Sequence, residues 1–367
     1  MRRYSLLFCL IFTLLFIMML PSYALDISAK GAVLLEAQSQ EVAFEKNMDL
    51  RLPMASTTKI MTALVVLENS CPDDVVTITE EMTGIEGSSI YLKPGEKLTV
   101  SELLYALMLE SANDASVALA IHVAGSVDSF AEMMNERARA MGLTETSFSN
   151  PHGLDNENHY TTPYELGIIA LNAMKNKCFF DIVSTRKIII QRHNEDSARL
   201  LVNHNKLLRI YDGAVGIKTG FTKRCGRCLV SCAERDGVML IAVTLNAPND
   251  WNDHKSMLDY GFSLYENVKL AQAGDYKVQL HAVNGVNSQF IAENTQDASV
   301  ILRKNNINIS AVLEASRILS APIKKGQEVG KIVFYNNDEP VYTLPLYSTC
   351  DINNIEYKKS ILERLLK

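Results

Sequence analysis

A serine and a lysine three residues apart are the first candidates for chemistry in this chain. Ser56 and Lys59 stand in "LPMASTTKIMTAL", at the start of an apolar run with helical periodicity. On a helix this spacing places both side chains on one face. A serine becomes a nucleophile when a neighbour takes its proton, and a lysine can do so if burial or a nearby cation lowers its pKa. The pair indicates acyl transfer, with a helix-capping Ser56 hydroxyl as the structural alternative.

The same spacing occurs a second time, which limits the weight of the pair alone. Ser184 and Lys187 stand in "STRK", directly before the strand-like run "IIIQ". Residues three apart in a strand point to opposite faces of the sheet. We therefore set this second pair aside as a catalytic candidate.

Two polar triplets later in the chain strengthen the first pair. "SAN" (Ser111 to Asn113) falls between two predicted helices, and "KTG" (Lys218 to Gly220) ends the strand-like run "AVGIKTG". Each has a plain structural interpretation, as a helix–helix turn and as a strand end. Together and in this order with Ser-x-x-Lys, they are typical of penicillin-binding proteins and class A β-lactamases.

The chain resembles the D-alanyl-D-alanine carboxypeptidases, the low-molecular-mass penicillin-binding serine peptidases. The matching stretches, which cover most of 25–268, are "LPMASTTKIMTAL", "LKPGEKLTVSELLYALMLESANDAS", "FSNPHGLD", "TTPYELG" and "GIKTGFTKRCGRCLVSCA". The resemblance implies an α/β (α+β) fold: a β-lactamase/transpeptidase-like peptidase domain over 25–268, with an antiparallel sheet and a helical subdomain. A small β-sandwich-like domain over 272–348 and a C-terminal amphipathic helix also match the family plan.

The resemblance implies catalytic roles for three residues. Ser56 would attack the D-Ala–D-Ala peptide bond of peptidoglycan stem peptides, and Lys59 would take its proton. Ser111 would relay a proton to the departing D-alanine nitrogen. β-Lactam antibiotics would acylate Ser56 in the same way and leave slowly, and neither a metal nor an organic cofactor is implied.

Substrate binding is implied for the remaining motif residues. Asn113 would hold a substrate amide, and Lys218 would lower the pKa of Lys59 and attract the terminal carboxylate, which Thr219 would hydrogen-bond. Gly220 and Phe221 continue this substrate-binding strand. The backbone N–H groups of Ser56 and Phe221 would form the oxyanion hole.

One departure from the family pattern concerns the substrate carboxylate. Members often carry an arginine between the Lys-Thr-Gly strand and the last helix of the domain, whereas the stretch "NAPNDWNDHKSMLDYGF" contains none. We expect Lys255 or His254 to substitute, or Trp251 to wall the site.

Periodicity predicts the elements that must position these residues. Strand-like runs flank the helical block, as an α/β or α+β domain requires. One helix start is well marked: Thr162 as N-cap, Pro163 at the first position and Glu165 completing a capping box. The predicted helices span 57–68, 101–110, 114–125, 126–142, 161–175 and 253–265.

Two other functions remain open at this stage. A β-lactamase would need a base for fast deacylation, for which Glu165 is the candidate, although its capping position and the added β module argue against this. A non-catalytic cell-wall scaffold is the other alternative. His152 in "NPHGLD" suggests a Ser–His pair, but its turn-like setting favours a structural role.

The N-terminus indicates export. Residues 1–24 combine Arg2 and Arg3, an apolar stretch and the small-x-small sequence "SYA", so we predict a signal peptide cleaved after Ala24. An uncleaved membrane anchor is the rival interpretation, for which the apolar stretch is short. The protein would act at the outer face of the cytoplasmic membrane or in the cell wall.

Charge and cysteine content argue against nucleic-acid binding and against a zinc site. The 367 residues carry a formal net charge of −6, which gives no basic face for nucleic acid. Six cysteines remain beyond residue 24, and "CGRC" (Cys225 to Cys228) lacks the partner ligands of a zinc site. We interpret Cys225 and Cys228 as buried thiols on a strand. The tail over 353–367 predicts an amphipathic helix suited to a membrane surface or to packing on its own domain.

Overall fold

The computed structural model describes residues 25–191, 198–316 and 318–355. The predicted signal peptide and residues 356–367 of the predicted tail helix lie outside the described residues. The strands are β1 (Gly31–Glu36), β2 (Val42–Lys46), β3 (Val75–Thr77), β4 (Lys97–Thr99), β5 (Lys187–Gln191), β6 (Ala198–Val202), β7 (Ala214–Thr222), β8 (Gly226–Arg235), β9 (Val238–Leu245), β10 (Tyr265–Ala271), β11 (Lys277–Val283), β12 (Gln289–Glu293), β13 (Ala298–Arg303), β14 (Ile309–Ala315), β15 (Leu319–Ser320), β16 (Glu328–Asn336) and β17 (Glu339–Ser348).

The helices lie mostly in the first 264 residues. They are α1 (Lys59–Asn69), α2 (Val100–Tyr105), α3 (Asn113–Ala124), α4 (Val127–Ala140), α5 (Pro163–Met174), α6 (Lys177–Ser184), α7 (Leu207–Ile210) and α8 (Asp250–Leu264). Two short 3-10 helices (Ala55–Thr58 and Glu80–Met82) and a π-helical turn (Ala106–Glu110) complete the set.

A five-stranded antiparallel sheet, in the order β2-β1-β9-β8-β7, forms the centre of the first domain. Strand β1 is buried along its whole length because both faces of the sheet are covered. Val33 and Leu35 face the core formed with the helical subdomain, while Ala32 and Leu34 face a second core that includes residues of α8. The period-2 alternation of the strand thus separates two apolar layers.

The second domain is built from β strands. Six of them form one sheet in the order β14-β16-β17-β12-β11-β15, and β10 pairs with β13. A separate apolar core fills this domain, with Phe334, Leu344 and Leu346 among its buried members. The first residues of the predicted tail helix are extended instead, because Asn354 bridges Gly285 and Ile355 N donates to Asn284 O.

Among the described residues, no single helix has the length and apolar character needed to cross a membrane. Helices α3 and α4 pass that test of length and composition only as a pair bent by 82°.

The predicted start of α5 is half right. The Thr162 hydroxyl accepts the Glu165 backbone N–H at 3.1 Å, and Pro163 occupies the first turn. The Glu165 carboxylate, however, does not complete a capping box. It accepts hydrogen bonds from the backbone N–H groups of Thr144 and Glu145 at 2.9 Å and from the Thr146 hydroxyl at 2.5 Å. The contact of Glu165 with this distant loop thus takes the place of the predicted capping contact with Thr162.

Candidate active site

Ser56 lies in the 3-10 helix that leads into α1, and its hydroxyl does not cap either helix. The alternative of Ser56 as a helix cap is therefore wrong. The neighbouring hydroxyls fix the turn instead: Thr57 Oγ1 donates to Met54 O at 2.6 Å and Thr58 Oγ1 donates to Ala55 O at 2.7 Å. These bonds leave the Ser56 hydroxyl available for other partners.

The Lys59 amine contacts three oxygen atoms. Its Nζ lies 3.1 Å from Ser56 Oγ, 2.7 Å from Asn113 Oδ1 and 2.6 Å from the carbonyl oxygen of His152. Burial lowers the pKa of Lys59 well below its usual value of 10.5, and the Lys218 cation lowers this pKa further. A neutral amine is the form that this environment favours.

These contacts match the hydrogen-bonding capacity of a neutral amine. Two of the oxygens belong to carbonyl groups, which can only accept, so they take the two N–H groups of Lys59. The remaining lone pair then faces Ser56 Oγ, whose hydroxyl can donate to it. Lys59 is thereby arranged as a base toward Ser56.

Ser111 and Asn113 reach this centre from the turn between two helices. The π-helical turn Ala106–Glu110 ends at Ser111, which has left-handed backbone angles (φ 60°, ψ 31°). Asn113 begins α3, and its Nδ2 donates to Glu86 O at 2.5 Å while its Oδ1 accepts from Lys59. The buried Asn113 amide therefore has a protein partner at each end.

A buried carboxylate next to Asn113 fixes one wall of the site. Asp114 accepts hydrogen bonds from Ser89 Oγ at 2.6 Å, Leu92 N at 3.0 Å and Ile90 N at 3.3 Å. These three donors belong to the loop that contains Ser88, a residue of the cleft wall.

Strand β7 supplies the opposite wall. Lys218 is fully buried, and burial lowers its pKa to about 7. Its Nζ donates to the Thr219 carbonyl at 3.1 Å. Gly220 allows the strand to pass close to the nucleophile, since a Cβ at this position would lie 3.1 Å from Ser56 N. Phe221 is 65% exposed at the cleft edge.

These elements enclose an open cleft of about 450 Å³. It is lined by Ser56, Ser88, Ser111, His204, Lys206, Thr219, Gly220, Phe221, Arg227, Asp250 and Trp251. Ser56, Ser111, Thr219, Gly220 and Phe221 thus face one space. Lys59, Asn113 and Lys218 lie behind that surface, where they are buried.

Several residues of the site were missed in the sequence. The His152 carbonyl contacts Lys59, and three cationic or titratable side chains (His204, Lys206 and Arg227) line the cleft. Arg227 lies opposite Phe221, because the β7–β8 hairpin is closed by the pair Thr222 and Gly226. His204 lies 3.1 Å from Glu110, at the end of the π-helical turn, a contact that no local pattern indicates.

The expectation that His254 or Lys255 replaces the missing arginine is wrong for His254. His254 is fully buried between Ser231 Oγ at 2.5 Å and Thr244 Oγ1 at 2.9 Å, and burial lowers its pKa to about 3. Lys255 is not among the residues that line the cleft, whereas Trp251 is. Trp251 walls the site as the sequence predicted.

The His152 ring has a structural role, in agreement with the prediction. Its Nδ1 accepts the Leu154 N–H at 3.2 Å, and burial lowers the His152 pKa to about 3. The loop sits tightly on the Ser56 turn, because Gly153 has a φ of +89° and its Cβ would lie 2.0 Å from the Ala55 oxygen.

The six cysteines among the described residues are free thiols. Cys225, Cys228 and Cys232 are buried, and burial raises the pKa of Cys225 to about 11 and that of Cys228 to about 12. Such thiols are poor nucleophiles. Across the described ranges, no three His, Cys, Asp or Glu side chains come together as potential metal ligands.

Comparison with known proteins identifies relatives over most of the chain. Residues 18–249 match the family model described as D-alanyl-D-alanine carboxypeptidase, and residues 265–354 match the C-terminal domain of penicillin-binding protein 5. A curated relative, the D-alanyl-D-alanine carboxypeptidase DacF of Bacillus subtilis (strain 168), is 35% identical over 335 residues, which cover 88% of this chain and 86% of the relative.

Solved structures of penicillin-binding proteins are also similar to this chain over most of its length. Penicillin-binding protein 5 from Haemophilus influenzae superposes with a TM-score of 0.66 at 28% identity, covering 90% of this chain and 98% of that one. A peptidoglycan synthesis regulatory factor (PBP3) from Streptococcus pneumoniae gives a TM-score of 0.74 at 26% identity, covering 89% and 100%. The predicted α/β fold with an added β domain is confirmed. The chain therefore belongs to the D-alanyl-D-alanine carboxypeptidase family of serine peptidases.

Proposed function

We propose that this protein removes the terminal D-alanine from peptidoglycan stem peptides through an acyl-enzyme on Ser56. The observation that carries the proposal is the Lys59 amine, which is buried, turned toward Ser56 Oγ at 3.1 Å and occupied by carbonyl acceptors on its other sides. The names of the relatives, D-alanyl-D-alanine carboxypeptidases, agree with this reaction.

Acylation begins with proton transfer from Ser56 to Lys59. Ser56 Oγ attacks the carbonyl carbon of the penultimate D-alanine, and the C–O bond forms as the hydroxyl proton moves to Lys59 Nζ. The carbonyl oxygen becomes an oxyanion, which the backbone N–H groups of Ser56 and Phe221 stabilise. The close approach of Gly220 to Ser56 N supports this pairing of β7 with the Ser56 turn.

Collapse of the intermediate releases D-alanine. The C–N bond breaks as Ser111 relays the proton from Lys59 to the leaving nitrogen. Water then attacks the ester, its proton returns through Lys59, and Ser56 is regenerated. No metal or organic cofactor takes part in these steps.

Binding groups surround the reacting bond. Thr219 donates to the terminal carboxylate, and Lys218 supplies positive charge behind it. Asn113 positions Lys59 and uses its remaining amide hydrogen for a substrate carbonyl. β-Lactams follow the same acylation path, and the bulky ring left on Ser56 slows the attack of water.

The two alternative functions are not favoured. The Glu165 carboxylate is taken up by the loop at Thr144–Thr146 and does not line the cleft, so it is not placed to activate a deacylating water. A passive scaffold has no need for a buried, proton-accepting lysine beside Ser56.

We further propose that the protein acts outside the cytoplasm. Residues 1–24 would direct export, and the tail over 356–367 would hold the protein at the membrane surface. Deletion of 356–367 should shift the protein from the membrane fraction to the soluble fraction, and an unchanged distribution would reject the contact.

The experiment that tests the activity is D-alanine release from diacetyl-L-Lys-D-Ala-D-Ala by the purified protein. Ser56→Ala should abolish release and also prevent the covalent benzylpenicillin adduct seen by mass spectrometry. Ser184→Ala, from the discarded pair, is the matched control and should behave like the wild type. Adduct formation by Ser56→Ala would show that another residue is the nucleophile, and rapid multiple turnover of penicillin would indicate a β-lactamase.

A further inference from the structure

An arginine enters the cleft from the strand beside the Lys-Thr-Gly strand. Arg227 is the second residue of β8 and lies opposite Phe221 in the antiparallel pair with β7. Its side chain is 44% exposed, and it lines the same cleft as Ser56 and Thr219. The guanidinium therefore shares this cleft with the nucleophile.

A buried carboxylate orients this guanidinium. Arg227 Nε lies 3.0 Å from Oδ1 of Asp250, whose side chain is only 4% exposed. The same Oδ1 accepts the Trp251 backbone N–H at 2.9 Å, so the start of α8 fixes the carboxylate. The Trp251 ring lies 6.0 Å from the guanidinium carbon.

The contact with Asp250 uses only one edge of the guanidinium. Within the part of the chain that the structure describes, the two Nη atoms of Arg227 have no hydrogen-bond acceptor. An arginine held at Nε presents its planar pair of Nη donors to a carboxylate, which can accept both.

We propose that Arg227 binds the C-terminal carboxylate of the substrate, so that β8, and not the segment before α8, supplies the arginine for substrate recognition. The inference rests on the proposed function, since a carboxypeptidase substrate ends in a carboxylate one residue from the bond that breaks. Arg227 and Thr219 then approach this carboxylate from adjacent strands. Asp250 is a positioning residue that acts through Arg227.

Two other side chains in the cleft compete for this role. His204 is paired with Glu110 at 3.1 Å. Lys206 lies 6.0 Å from the Trp251 ring and carries a point charge without the planar pair of donors. Arg227 alone among these three combines a fixed orientation with unoccupied parallel donors.

The test compares a substrate that has the carboxylate with one that lacks it. The ratio of kcat/KM for diacetyl-L-Lys-D-Ala-D-Ala to kcat/KM for its C-terminal carboxamide measures carboxylate recognition. Arg227→Gln should reduce this ratio by about 10- to 100-fold, the range expected for loss of a charge-assisted hydrogen bond. Arg227→Lys should retain part of the preference. Arg224→Gln neutralises an exposed arginine in the turn of the same hairpin and should keep the wild-type ratio.

Acylation by benzylpenicillin and by its methyl ester supplies a second measurement of the same ratio. If Arg227→Gln slows the reactions of the carboxylate compounds and of their uncharged analogues (the carboxamide and the methyl ester) by equal factors, Arg227 has only a structural role. Loss of the preference in Lys206→Gln, with Arg227→Gln unaffected, would assign the carboxylate to Lys206. Failure of the proposed function looks different: the wild-type protein would release no D-alanine from either peptide, while the penicillin ratio would still decide the role of Arg227.

Discussion

Lys59 Nζ lies 3.1 Å from Ser56 Oγ, and the other two oxygens that it contacts belong to carbonyl groups. The amine can satisfy both carbonyls and still present a lone pair to the serine only when it is neutral. The buried position and the nearby Lys218 cation favour that neutral form. The geometry and the charge environment thus both favour the neutral form of Lys59.

Replacing Lys59 by arginine should separate charge from basicity. Lys59→Arg keeps a positive side chain, but a guanidinium stays protonated at neutral pH and offers no lone pair to Ser56. We expect the rate of Ser56 acylation by benzylpenicillin to fall by about 10²- to 10⁴-fold, the usual contribution of a general base. Mass spectrometry of the adduct over time measures this rate. Lys187→Gln, from the discarded pair, should leave it unchanged, and wild-type acylation by Lys59→Arg would rule out Lys59 as the base.

The pH profile of kcat/KM should rise and then fall. On the acid side the rate increases as Lys59 loses its proton, at a pKa well below 10.5. On the alkaline side the rate decreases above pH of about 7, as Lys218 loses the charge that attracts the carboxylate. Bound substrate stabilises the Lys218 cation, so the alkaline limb of kcat should lie at higher pH than that of kcat/KM. Initial-rate measurements between pH 5 and 10 test this, and coincident alkaline limbs would count against Lys218 as a carboxylate partner.

Gly153→Ala should destabilise the protein more than a matched glycine replacement. Gly142 and Gly153 both have positive φ, but a Cβ at Gly142 meets nothing within 4 Å, whereas one at Gly153 would lie 2.0 Å from Ala55 O. Gly142→Ala should cost roughly 1–2 kcal/mol of unfolding free energy from backbone strain. Gly153→Ala should cost about 2 kcal/mol more, because the loop must move away from the Ser56 turn. Urea denaturation compares the two, and equal losses would contradict the tight contact.

Buried histidines should make the protein less stable in acid. The pKa of His254 is lowered from 6.5 to about 3, and those of His152 and His159 are lowered to about 3 and about 4. Below pH 6.5 these histidines bind protons in the unfolded chain but stay neutral in the folded protein. Their contribution to the free energy of unfolding is therefore complete above pH 6.5 and is lost as the pH falls toward these values. Each of these groups contributes about 1.4 kcal/mol per pH unit in this window.

His254→Gln should therefore flatten the dependence of Tm on pH between 6.5 and 4.5 by about a third, since it removes one of three such groups. The slope, and not Tm itself, is the relevant quantity, because glutamine alters the contacts to Ser231 and Thr244 at every pH. His281→Gln changes an exposed histidine and serves as the control. An unchanged slope in His254→Gln would contradict its neutral burial.

Local sequence patterns predicted the fold and the motif positions well, because these features depend on residues that are close together in the chain. The helical spacing of Ser56 and Lys59, the turn at Ser111 and the strand that ends in Lys218 are all properties of short segments. The discarded Ser184 and Lys187 illustrate the same point, since Ser184 ends α6 and Lys187 begins β5.

Contacts between distant segments were the part that the patterns missed. The Glu165 carboxylate reaches the loop at Thr144–Thr146 instead of its own helix end, and His254 turns into the interior instead of the cleft. Arg227 lies outside the segment before α8 in which the family arginine was expected, because the hairpin brings β8 beside the Lys-Thr-Gly strand. All three arise from contacts between segments that are distant in the chain, which residue spacing along one segment does not encode.

Because Ser111 directly follows the π-helical turn Ala106–Glu110, its direction depends more on the number of residues before it than on their identity. Each residue advances a helix by about 100°, so one insertion or deletion in α2 would turn Ser111 away from the cleft while leaving every motif residue present in the sequence. Aligned homologues should therefore vary in side chains across this segment but hold its length constant. A natural family member with a length change here would be expected to bind cell-wall peptides without cleaving them.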